Sequence, residues 1–297
     1  MIPIVDTHQH LWDLSQFSLP WLADVEALNN NYRMDDYLRE TSKSGVAKTV
    51  YMEVDVASQQ RLAEVDFVCE LCARDDNPMA GAVISGSPGD AGFADYMARY
   101  ADTAYVKGVR QVLHVPDAAR GACTEPRFVE GIQLLGSMGK CFDLCMRPSE
   151  LADALALVEQ CPDTLFIVDH CGNADPQIVS GDVQPDPGNP FAHERQQWLD
   201  DMQALGAREN VVCKLSGIVA RAPQGWSAET LAPTVEHCIA SFGTARVVFG
   251  GDWPVCTLCA PLGEWIAALR QIVSGYSEED QRLILHDNAV RLYGLDQ

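Results

Sequence analysis

Positive charge is scarce in this chain. Its 21 lysines and arginines stand against 42 aspartates and glutamates, a formal net charge of -21. So acidic a balance argues against nucleic acid and anionic membranes as partners, because both are held by basic patches. Long apolar runs are also missing. None reaches the roughly 20 residues that span a bilayer, and the first residues carry neither the basic segment nor the apolar core of a secretory signal. A cytoplasmic protein is expected. No internal repeat, low-complexity tract or long linker interrupts the chain. A glycine-rich phosphate turn after the first apolar segment is absent too; His8-Gln9-His10 stands there instead. That weakens a doubly wound nucleotide-binding sheet, the runner-up fold.

Cysteine, by contrast, is plentiful. There are 11, an odd number, and Cys141, Cys145, Cys171 and Cys213 fall in apolar segments. The expectation is buried, reduced thiols. Two Cys-x-x-Cys pairs, Cys69/Cys72 and Cys256/Cys259, have the spacing of half a structural zinc site. Cys69 and Cys72, however, share the apolar face of a predicted helix with Val65, Phe67 and Val68, as core cysteines do.

The 297 residues are 47% hydrophobic, enough for one sizeable core. Strands are predicted near Ile2 to His8, Ala47 to Val54, Met79 to Ile84, Ala104 to Leu113, Cys141 to Met146, Leu165 to His170, Val211 to Leu215 and Arg246 to Phe249. Helical segments alternate with them, and two more close the chain near Leu262 to Val273 and Glu278 to Tyr293. A stretch rich in Pro, Gly and Asp from Asn173 to Pro190 reads as a long loop. This alternation predicts a parallel sheet. Eight units favour a closed (β/α)8 TIM barrel, one domain over residues 1–297.

Functional groups of such a barrel gather at the C-terminal ends of its strands. His8 and His10, two apart in a strand, project to one face. Paired imidazoles there suit a divalent metal or a polarised oxygen. Val247 to Pro254 is a second apolar strand that ends in Asp252, and first and last strands are neighbours in a closed barrel. Glu53, Arg110, His170 and Lys214 also fall at predicted strand ends. The loop after the first strand carries Trp12 and Trp21, which read equally well as a pocket wall or as a cap on the barrel. Arg110, Lys214 and Glu53 have a structural reading beside the functional one, since a charge inside a strand must be paired.

The stretches VDTHQHLWD, VKGVRQVL, VDHCGNAD, CKLSGI and FGGDWPVC together resemble the amidohydrolase superfamily, in its branch of sugar-lactone hydrolases. FGGDWPVC and VDHCGNAD look like those of fuconolactonases and rhamnonolactonases, and the lactonase of pyrone dicarboxylate is a second relative. Two-metal members of the superfamily carry a His on the fifth strand; here that strand reads Cys141-Phe142-Asp143-Leu144-Cys145-Met146. The resemblance therefore leaves open a single zinc on His8, His10 and Asp252, with Glu53 or water as fourth ligand, or catalysis without metal.

What the resemblance implies is hydrolysis of a small sugar lactone. Asp252 is the expected general base, passing the proton to the ring oxygen. His8, His10 and His170 are expected to polarise the carbonyl. Arg110, Lys214 and Glu53 are expected to bind substrate, with Trp12, Trp21 and Trp253 stacking on the sugar ring. The alternatives are a dicarboxylate lactone held by Arg110, Arg147 and Arg221, a decarboxylase of the same superfamily, and a non-catalytic sugar-binding barrel. A homo-oligomer stays open.

Overall fold

The apolar segments of the sequence become strands buried on both faces, as parallel strands covered by helices must be. In the computed structural model they are β1 (Ile4–Gln9), β2 (Val46–Met52), β3 (Met79–Ser85), β4 (Val106–Val112), β5 (Cys141–Cys145), β6 (Phe166–Val168), β7 (Val211–Leu215) and β8 (Val247–Phe249). The structure describes residues 2–296 apart from 187 and 190. The strands pair parallel in sequence order, β1 to β8, with helices between them. This is the expected (β/α)8 barrel.

Closure between β1 and β8 fixes the site. Gln9 bridges Trp253, Asp252 N–H donates to His8 O at 2.8 Å, and His10 N–H donates to Trp253 O at 2.9 Å. Beneath this seam the buried Asp6 carboxylate accepts from Gly251 N–H at 2.7 Å, His8 N–H at 3.0 Å and Tyr37 O–H at 2.7 Å. Gly250 and Gly251 allow that approach: a Cβ on Gly250 would lie 2.8 Å from His8 Cβ, and one on Gly251 would lie 2.4 Å from Asp6 Oδ2. The paired glycines of FGGD are thus packing requirements of the seam. At the other end of the barrel, Val5, Val50, Val83 and Val248 pack with Val290 and Tyr293 of the C-terminal helix Asn288–Tyr293.

Three expectations change in detail. β6 ends at Val168, and His170, Cys171, Gly172 and Asn173 all take positive φ, between 52° and 67°. The Asn173 to Pro190 loop contains a short helix, Pro176–Ser180, while positions 187 and 190 lie outside the described residues. The last predicted helix divides into Glu278–Arg282, a π turn at Leu283–Asp287 and Asn288–Tyr293. The cysteines are unpaired, and most are buried. Among the described residues no helix is long and apolar enough to cross a membrane.

Candidate active site

The C-terminal strand ends open into a cavity of ≈ 330 Å³ whose floor is formed by His10, Arg110, His170 and Asp252. Each is placed by a different part of the barrel. His10 follows β1, and its Nδ1–H donates to Met52 O of β2 at 2.9 Å. Arg110 lies in β4 and is clamped from β2: Nε donates to Glu53 Oε1 at 2.6 Å and Nη2 to Glu53 O at 2.7 Å. His170 stands on the left-handed turn after β6, its Nδ1 2.9 Å from Ser216 Oγ. Asp252 also takes positive φ, 54°. Left-handed backbone at a residue with a Cβ costs roughly 1–2 kcal/mol, and such strain concentrates at functional sites.

His8 lies fully buried under this floor. Its Nε2 is 3.7 Å from Asp252 Oδ1 and 3.3 Å from Arg110 Nη1, and its Nδ1 is 3.6 Å from Asp169 Oδ1. Burial, despite Asp169, holds its pKa well below the ordinary value, so it is neutral. Asp252 answers to opposed effects. Burial raises its carboxyl, while His170, His10 and His8 act to lower it, and the net direction is below the usual value. His170 is pulled down to about 4, chiefly by burial.

A layer deeper, Lys214 Nζ sits 2.5 Å from Asp143 Oδ2 and 2.9 Å from Asp169 Oδ1, all three fully buried. Burial opposes the charge of Lys214, and the two carboxylates overcome it. The two acids part company: Asp143 is raised to about 7, chiefly by desolvation, whereas Lys214 chiefly holds Asp169 well below its usual value against burial. Asp169 also faces Arg110 Nη1 at 3.6 Å. This carboxylate orders His8, Arg110 and Lys214 together, and sequence reasoning missed it. The available signal was an acid directly before a strand-end histidine in an apolar run, with Lys214 and Arg110 at other strand ends to pair with it.

Several expected substrate contacts are corrected by this packing. Lys214 and Glu53 do not line the cavity; each is buried in an ion pair. Glu53 is not a fourth metal ligand either, since its second oxygen accepts from Asp55 N–H at 2.7 Å. Trp12 is buried, donates to Asn30 O at 2.7 Å and packs edge-on against Tyr32 and Trp21. Trp253 is buried against Tyr32 and Tyr37. Of the three tryptophans only Trp21 lines the cavity. His114 lines it too, as does Arg221. Arg147 is turned away, bound to Glu150 and to the carbonyls of Val115 and Ala118.

The donor set fits one cation. With its Nδ1–H given to Met52 O, His10 turns Nε2 towards Asp252 Oδ1, 3.4 Å away. Such a pair needs a cation or a proton between them. Spacings of 3.4 and 3.7 Å from Asp252 Oδ1 to the two imidazoles approach the edge of a zinc tetrahedron, about 3.3 Å for bonds of roughly 2.0 Å. Arg110, beside His8 Nε2, is the group such an ion would displace. A second grouping, His8, Asp169 and His170, also lies within 4.8 Å, but its carboxylate already faces Lys214 and Arg110.

Imidazoles, a buried guanidinium and an ionised carboxylate gathered at the C-terminal mouth of an eight-stranded barrel are the construction of an enzyme. Residues 5–295 match the amidohydrolase family, and the chain belongs to it. Among its relatives is an L-fucono-1,5-lactonase of Burkholderia multivorans, 27% identical over 99% of this chain and 96% of its own length. Another is an L-rhamnono-gamma-lactonase of Scheffersomyces stipitis, 24% identical over 98% of both chains. In fold, the chain is similar to a zinc-bound amidohydrolase from Burkholderia multivorans, with a TM-score of 0.84, 23% identity and 99% of each chain covered.

Proposed function

We propose that this amidohydrolase opens a small lactone to its hydroxy acid by water that Asp252 activates. The observation that carries the reading is Asp252 at the cavity floor with His8, His10 and His170 around it. Water attacks the lactone carbonyl carbon as Asp252 takes its proton. The ring C–O bond then breaks, and Asp252 returns the proton to the ring oxygen. With Ser216 donating to His170 Nδ1, the Nε2–H of His170 is free to meet the developing oxyanion beside Arg110. Lys214 and Glu53 act at one remove: the first fixes Asp169 behind His8, the second fixes Arg110. His8, His10 and Asp252 would hold one divalent cation, whose Lewis acidity would polarise the carbonyl.

The names of the relatives, an L-fucono-1,5-lactonase and an L-rhamnono-gamma-lactonase, support a five- or six-membered lactone as the reacting ring. Buried, reduced cysteines support the cytoplasm as compartment. The test is release of acid from a panel of γ- and δ-lactones, followed with a pH indicator, before and after exhaustive chelation, with metal content measured in parallel. Turnover with at most one metal per chain is expected. Failure on every lactone, or two metals per chain, would sink the reading.

A further inference from the structure

We infer that the lactone this site prefers carries an alkyl or aryl substituent, not a ring of hydroxyls. The inference rests on the lactone-hydrolase reading and concerns what surrounds the reacting carbonyl. Above the polar floor the wall is aliphatic: Val25 and Leu28 from the segment after β1, Val112 and Val115 at the end of β4, Val255 and Leu258 after β8. Among the described residues that line the cavity there is no Ser, Thr, Asn, Gln or Glu. An aldonolactone has a hydroxyl on most ring carbons, and each one buried without a partner is penalised.

The aromatic residues of the wall offer little more. Trp21 donates its Nε1–H to Val54 O at 2.8 Å, so its remaining surface is apolar. Phe191 is covered by the Arg221 guanidinium at 3.8 Å and met edge-on by His114 at 5.2 Å. Among the described residues above the floor, only Asp55, His114 and Arg221 are polar. Arg221 Nη2 is bound to Asn173 Oδ1 at 2.8 Å, while its buried Nη1 has no partner among the described residues. The polar groups above the floor are thus Asp55, His114 and one guanidinium nitrogen, set against the six aliphatic side chains of that wall. At the rim Leu258 is 42% exposed, one of four large apolar side chains so exposed among the described residues. It extends the apolar wall outward, where a substituent leaving the cavity would lie against it.

The test is a chain-length series on the purified protein: unsubstituted δ-valerolactone, then δ-hexalactone, δ-octalactone and δ-decalactone, beside L-fuconolactone and D-gluconolactone. Each methylene taken from water into an apolar wall contributes about fourfold. We therefore expect kcat/KM to rise about fourfold per methylene until the wall is filled, and to exceed the aldonolactones by about tenfold or more. Leu258→Ser, at a half-exposed rim position, should flatten the slope through KM, with kcat retained. Aldonolactones preferred, with no dependence on chain length, would overturn this inference alone. No turnover of either set would overturn it together with the lactonase reading.

Discussion

Asp252 owes its chemistry to its neighbours. It is an acid at the floor of the cavity whose carboxyl lies below its usual value despite burial. Asp252→Asn is nearly isosteric and should leave Tm close to that of the wild type while lowering kcat/KM about 100- to 10,000-fold, the usual loss with a general base. A variant that kept more than about a tenth of wild-type kcat/KM would remove Asp252 from the mechanism. His8, His10, His170 and Asp252 were legible because a histidine or acid that ends an apolar run is costly without a reason. Asp169 was not. Its weight comes from burial and from partners on three other strands, His8, Arg110 and Lys214, none of them near it in sequence. Trp12 and Trp253 were misplaced for a related reason: an aromatic residue in a loop gives no indication of which side of the loop it will face.

At the scale of elements, the strands followed from apolar runs bounded by turn residues, but their ends did not. β6 gives way to a left-handed turn that only tertiary contacts hold in place, and that turn aims His170. Gly217, on the turn after β7, has φ +70°, and a Cβ there would lie 2.4 Å from His170 Nδ1. Gly217→Ala should therefore cost roughly 1–3 kcal/mol from overpacking and lower kcat by displacing His170. A crystal structure with His170 unmoved and full activity would contradict this. Another tie joins the helix Arg61–Cys72 to the end of β2: Glu64 Oε1 accepts from Tyr51 O–H at 2.9 Å and Val54 N–H at 2.8 Å. Burial, then the charge of Glu53, raises its pKa from 4.5 to about 8. The unfolded chain loses this proton near 4.5 and the folded chain keeps it to about 8, so the folded state binds more protons between them. Stability must fall as pH rises through that window. His8, His114 and His170, all lowered by burial, act in the opposite sense, but only below their unfolded value near 6.5. Between pH 6.5 and 8.5 the wild type should lose several degrees of Tm, and Glu64→Gln should lose distinctly less. Parallel Tm curves for the two proteins would show that Glu64 does not titrate in this way.

The whole molecule sets the charge of what can enter. Its net charge of -21 opposes a dianion, but salt screens surface charge beyond roughly 8–10 Å, so the guanidinium groups at the site decide. Three arginines were candidates for a dicarboxylate lactone, and barrel packing has committed two of them. Arg110 is held by Glu53 through both Nε and Nη2. Arg147 is held by Glu150 and two backbone carbonyls. Of the three, Arg221 alone keeps a buried nitrogen without a partner among the described residues, and that serves one oxygen. Two carboxylates need two such forks, each able to make paired, charge-assisted bonds. Lys214 cannot substitute, being fully buried between Asp143 and Asp169. Neutral lactones should therefore exceed 2-pyrone-4,6-dicarboxylate in kcat/KM by at least about tenfold at fixed ionic strength. The difference should persist at 0.5 M salt, because it arises from missing partners and not from the long-range field. A preference for the dicarboxylate would mean that Arg110 or Arg147 leaves its carboxylate on binding, and a structure of the complex would then show Glu53 or Glu150 newly unpaired.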